Sequence, residues 1–263
     1  MGTSSRNLGQ SGHSPLVPSW VDDEGEGNVS VISTPMAPNA DPDRFSEPRG
    51  NMTRFARNGN TDNFERAVSQ YVTKSIGGTH NAVQRLGTAR RSTAILFGAV
   101  GSFYRNGAAG TQEFLKTYSL IGKNADEALI SITDIVCSDG GTTNEGIVRD
   151  AYIDTIAETA ELRMLNFEEL QPEQMLLILQ GCIARVVIGK ILNDIGNKLI
   201  VIPESLQNVK NLKKQMILYV EGVVKDSFTR LNIHPDSIHP EETQELTNSV
   251  YEQIYSIFAE DEE

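Results

Sequence analysis

Residues 172–200 read PEQMLLILQGCIARVVIGKILNDIGNKLI, and the reading of this stretch decides the fold. Pro172 suits the first turn of a helix, where its missing N–H is needed by no partner and its fixed φ is already helical. Behind it, apolar side chains fall on most sides of the helical wheel. A helix of that kind needs neighbours nearly all round, so it is expected to be the central member of a bundle. Pro203 is expected to end it.

The flanking segments supply amphipathic neighbours. FERAVSQYV places Phe64, Val68, Tyr71 and Val72 at the i, i+4, i+7, i+8 spacing. Order is expected to begin near Phe55 or at Thr61–Asp62, where Glu65 follows Asp62 as in a capping box. Gly77–Gly78 breaks this helix, and residues 79–104 read as a short helix followed by a more apolar one. Gly107, Gly110 and Thr111 punctuate before residues 112–121, QEFLKTYSLI. Residues 125–137 and 147–165 are helical by period, with the loop SDGGTTNEG between them. Residues 205–231 form another long helix, HPDSIHPEE a connector, and residues 243–259 a final amphipathic helix. KLIVI at 198–202 is the one candidate for extended chain, and no alternating runs suggest a sheet. The expected class is all-α: a helical bundle-like domain over 51–263 behind a disordered leader over 1–50.

The leader follows from composition. Six of the ten prolines lie in the first fifty residues, with a Gly/Ser run and the acidic patch Asp22-Asp23-Glu24-Gly25-Glu26. Such a segment buries too little apolar surface to offset the entropy of ordering it. Its one compact apolar motif is SPLVPSW, which holds the only tryptophan of the chain, Trp20. Two prolines restrict the motif and an aromatic anchors it, the pattern of a short segment that docks in a partner's groove through Leu16, Val17, Pro18 and Trp20; the alternative is an incidental apolar cluster in a linker.

Charge and chemistry narrow the function. The net charge is −12, yet residues 51–105 carry eight basic and two acidic side chains. An acidic chain with one basic block is not a general nucleic-acid binder. Arg54, Arg57, Arg85, Arg90 and Arg91 are candidates for a local contact with nucleic acid or an acidic partner surface; the plainer reading is that the block neutralises acidic helices of its own chain or of a partner. No run is read as reaching the roughly 18–20 apolar residues of a membrane span, so no membrane insertion is expected. No secretory signal pattern is present, and a cytoplasmic location is expected. Cys137 and Cys182 are read as buried free thiols. His234 and His239 flank Asp236 in a spacing that matches no common zinc site and reads as a helix-to-helix turn. The glycine clusters lack a phosphate-binding loop. No catalytic residue, metal or cofactor is expected.

The N-terminus offers a different chemistry. Removal of Met1 before the small residue Gly2 leaves a glycyl amine whose pKa of about 8 keeps a useful fraction neutral. N-myristoylation, one alternative, wants Ser or Thr at the sixth position, which is Arg6 here; from the residues alone, an unmodified N-terminus is the commonest outcome.

The combination of MGTSSRNLGQSGHSPLVPSW, the Pro-rich acidic linker, RFARNGN and YVTKSIGGTHNAVQRLGTARR resembles the QatB family of the Qat bacterial anti-phage defence system. The resemblance is most specific over 2–20 and 52–91. It implies a non-enzymatic subunit accompanied by an ATPase, a QueC-like enzyme and a TatD-like nuclease. It also implies that the QueC-like partner joins a 7-deazaguanine to the amine of Gly2, with Thr3, Ser4 and Ser5 entering that enzyme's active site. The alternative within the same family is a plain adaptor that binds the ATPase or nuclease without modification.

Overall fold

The computed structural model describes residues 43–118, 120–137, 141–196 and 206–260. The leader as far as residue 42, KLIVI and Pro203 lie outside the described residues, and so does the expected docking motif. Within the described residues the all-α expectation holds: no strand is formed, and the one β-bridge joins Asn124 to Asn166.

Helices α1 (Ser46–Asn58) and α2 (Thr61–Gln70) pack side by side. The first begins inside the stretch assigned to the leader. Pro48 sits in its opening turn, where a lost N–H breaks no helical hydrogen bond, and Met52 and Phe55 bury its inner face. The capping expectation for α2 is corrected by two residues, since Asn60 accepts the N–H of Asp62 at 2.9 Å. The predicted stripe is buried throughout: Phe64, Val68, Tyr71 and Val72 are all at most 1% exposed. After a π-helical turn at Tyr71–Ser75 come α3 (Thr79–Gln84) and α4 (Thr88–Leu115).

The helix α4 is two helices in sequence. It breaks at Asn106 and Gly107, where Gly107 takes φ +59° and ψ −151°, a backbone that side-chain-bearing residues rarely adopt. Gly110 and Thr111, read as loop residues, lie instead inside the second helical piece and are buried. The expected helix 112–121 stops at Leu115, where Lys116 turns left-handed at φ +52°. Gly101 makes the tight contact with another segment's backbone on the first piece: a Cβ there would stand 2.5 Å from the backbone oxygen of Ile238. Gly101→Val is therefore expected to cost about 1–3 kcal/mol through forced backbone movement. Urea titration checks this, and an unchanged midpoint would contradict the close approach.

The rest of the chain is α5 (Ala125–Ser131), α6 (Thr133–Val136), α7 (Thr143–Glu158), α8 (Pro172–Gly196), α9 (Leu206–Arg230) and α10 (Thr243–Glu260). A full capping box starts α7, with Thr142 and Glu145 each bonding the other's backbone N–H. The central-helix expectation is met, since α8 packs against α4, α7 and α9. A second hub is α10, against α2, α3, α4 and α9, with Tyr251, Ile254, Tyr255 and Phe258 at most 1% exposed.

One exclusion is corrected. Pro172–Ile195 is long and apolar enough to cross a membrane by length and composition, though 67% of its most apolar window is buried inside the protein. Its apolarity answers to neighbouring helices, which is what a bundle's central helix requires.

Candidate functional site

The sequence places its sharpest candidates, Gly2, Thr3, Ser4, Ser5, Leu16, Val17, Pro18 and Trp20, outside the described residues. The basic block lies within them, and the structure divides it. Arg54 and Arg57 are exposed on α1, the former donating to Asn51 Oδ1 at 2.7 Å. Arg91 is exposed near the start of α4. Arg90, beside it, is half-buried and reaches Asn248 on α10 at 3.5 Å. Arg85 is drawn inward and carries its charge to Asp194.

Asp194 is the centre of a buried polar cluster on α8. Its side chain is 6% exposed, and its Oδ2 accepts both Arg85 Nη2 at 3.0 Å and the Tyr71 hydroxyl at 2.8 Å. Burial first, then the nearby Tyr255 and Asp194, holds the Tyr71 hydroxyl well above the usual phenol range, so it stays a donor. One turn back on the same helix, Lys190 is 5% exposed and donates to Asn144 Oδ1 at 2.6 Å. Burial lowers the pKa of Lys190, with the charge of Asp194 opposing it. Residues from the π-helical turn, the end of α3, α7 and α8 thus share one low-dielectric knot. The sequence expectation that the basic block neutralises the chain's own acids is met at two points, here and at Lys74–Glu47, 3.0 Å apart on the surface. The knot ties helices together; its geometry offers no acid–base pair facing open space.

The remaining chemical candidates resolve as structural. His239 Nδ1 lies 2.8 Å from Arg105 Nη2, and His234 closes a 3₁₀ turn with Ser237, its ring 3.3 Å from Asn232. Among the described residues, no group of three or more His, Cys, Asp or Glu side chains could hold a metal ion. Both cysteines are buried and unpaired. Burial pushes the Cys137 thiol up to about 11 and the Cys182 thiol up to about 12. Since the thiolate is the reactive form, native protein at pH 8 is expected to show less than about a tenth of its two thiols to a disulfide reagent. Full reaction is expected in guanidinium, and rapid labelling of the native chain would contradict the packing.

A family model described as "Qat anti-phage system associated protein QatB" matches residues 77–258. The match covers more than half of the chain and runs from the end of the π-helical turn through most of α10. It thus rests on the helical body, shares residues 77–91 with the more specific stretch of the sequence resemblance, and leaves residues 2–20 outside it. No curated protein and no solved structure matches.

Proposed function

The chain belongs to the QatB family of the Qat anti-phage system, and from that premise we propose that it is a non-catalytic subunit whose Gly2 amine accepts a 7-deazaguanine from a QueC-like partner. The observation that carries this reading is the start MGTSSR, an unhindered glycyl amine followed by small residues. Glycine bears no side chain to block an approaching electrophile. An α-amine with a pKa near 8 is partly neutral at cellular pH, whereas a lysine amine near 10.4 is not. In the reaction, ATP activates the carboxylate of the deazaguanine within the partner enzyme. The neutral glycyl nitrogen attacks the activated carbonyl carbon, the activating group leaves with the bonding pair, and the nitrogen loses a proton as the amide forms.

In this reading Thr3, Ser4 and Ser5 follow the amine into the active site, and Leu16, Val17, Pro18 and Trp20 grip the partner's surface. Two prolines lower the ordering cost of that grip. The body's part is assembly with the ATPase and the TatD-like nuclease, in the cytoplasm. The plain-adaptor reading is favoured by one observation, the exposure of Arg54, Arg57 and Arg91 on a strongly acidic chain. The two separate by mass: co-expression with the QueC-like protein adds a nucleobase to the chain in the first reading and nothing in the second.

A further inference from the structure

The central helix α8 is not covered on every side. Leu177 on its first half is 64% exposed, and on α9 Leu218 is 57% exposed. Both line one open groove of about 680 Å³, floored by α8 and flanked by α7 and α9. Along α9 the residues facing it, Lys210, Lys213, Lys214, Ile217, Leu218 and Glu221, repeat at three- and four-residue spacing and make one helical face. On the adjoining stripe and further along α9, Val220, Val224 and Phe228 are in the core. The groove therefore lies beside the packed side of α9, and its exposed leucines stand where the described helices stop covering α8 and α9.

The charges of the groove do not cancel. Arg185 is held by Glu158 and by Glu221 at 3.4 Å, and Lys213 by Asp154 at 3.0 Å. Lys210 and Lys214 are exposed and have no acidic partner among the described residues. An uncompensated basic rim beside exposed leucines is distinctive on a chain whose net charge is −12. Leucines at the centre and carboxylates on the wall disfavour a phosphate backbone, which seeks basic side chains without them. Lysines outside an apolar strip instead match a peptide that brings apolar anchors flanked by carboxylates.

We propose that the α7–α8–α9 groove docks an acidic amphipathic segment of a partner protein, its apolar residues on Leu177, Ile217 and Leu218 and its carboxylates on Lys210 and Lys214. This rests on the proposed membership in an assembly with the QueC-like enzyme, the ATPase and the nuclease. It does not depend on Gly2.

The test uses the full chain and each of those three proteins, purified, in binding titrations. One of the three is expected to bind the wild type, with affinity falling as salt rises. Leu218→Asp and Lys214→Glu, both at exposed positions, are each expected to weaken that binding about tenfold or more with the far-UV spectrum unchanged. Lys116→Glu, at the exposed end of α4, serves as the control and is expected to leave it unchanged. Absence of binding to all three, or equal binding by wild type and groove variants, would overturn the proposal. A variant effect on sedimentation of the chain alone would assign the groove to a second copy instead. Loss of binding to a single-stranded oligonucleotide would assign it to nucleic acid, and either outcome overturns the partner segment. The mass of the chain's N-terminus, read in parallel, keeps the two readings apart: an unmodified Gly2 with groove binding intact defeats the modification alone.

Discussion

Asp194→Ala is expected to lower the unfolding free energy by about 3 kcal/mol, the lower end of the 3–5 kcal/mol seen when one partner of a buried ion pair is removed. The substitution strands two donors at once, because one carboxylate oxygen serves both Arg85 and Tyr71. The Tyr71 hydroxyl is cut off from solvent, whereas Arg85 keeps about a quarter of its side chain in solvent. That access is why the lower end applies. Asp194→Asn retains an acceptor and is expected to lose less. The pH dependence carries a sign as well. Lys190 titrates below its usual range when folded, so between the folded and unfolded values the unfolded chain binds more protons. The Lys190 contribution to stability therefore rises with pH through that alkaline window, opposed by Cys137 and Cys182, whose raised thiols keep protons in the folded chain that the unfolded chain loses. Removing the carboxylate of Asp194, which supports the charged amine, is expected to widen the window and steepen the rise. Chemical denaturation from pH 7 to 10 checks both statements, and a loss under about 1 kcal/mol for Asp194→Ala would contradict the knot.

Gly2→Pro is expected to abolish both the adduct and protection from phage while leaving the helical body folded. Proline keeps a small N-terminal residue but makes the amine secondary and encloses it in a ring, so the approach to the activated carbonyl is blocked. Trp20→Ala is expected to reduce the adduct rather than eliminate it, since an anchor of this kind is commonly worth about 2 kcal/mol or more of binding. Protection that survives Gly2→Pro in full would leave the adaptor reading, in which the exposed Arg91, rather than the half-buried Arg90, is the residue to reverse in charge.

The long apolar helix, the Phe64–Val72 stripe and the connector at His234 were legible in the sequence because period and proline placement are local signals. The helix α1 was not: Pro48 and Gly50 look like leader composition, and only packing of Met52 and Phe55 against α2 makes the segment helical. Glu65 and Asp62 suggested a cap that Asn60 provides instead, a two-residue error typical of helix ends. The knot at Asp194 was out of reach, since Arg85 and Tyr71 lie 109 and 123 positions away. The groove left a fainter trace. Lys210, Lys213 and Lys214 stand with Ile217 and Leu218 on one helical face, a pattern the sequence contains, but only the fold reveals that no described helix covers it. Cys137 and Cys182 were read correctly from their apolar neighbours alone.

The central claim is that the glycyl amine at the start of this chain is an acceptor. Intact-mass and N-terminal peptide mass spectrometry of the chain, purified after co-expression with the other Qat components, tests it most directly. The account predicts that Met1 is absent and that one 7-deazaguanine is joined through an amide to the nitrogen of Gly2, only when the QueC-like protein is present. An unmodified glycyl N-terminus in that preparation, or the same added mass on Gly2→Pro, would contradict it.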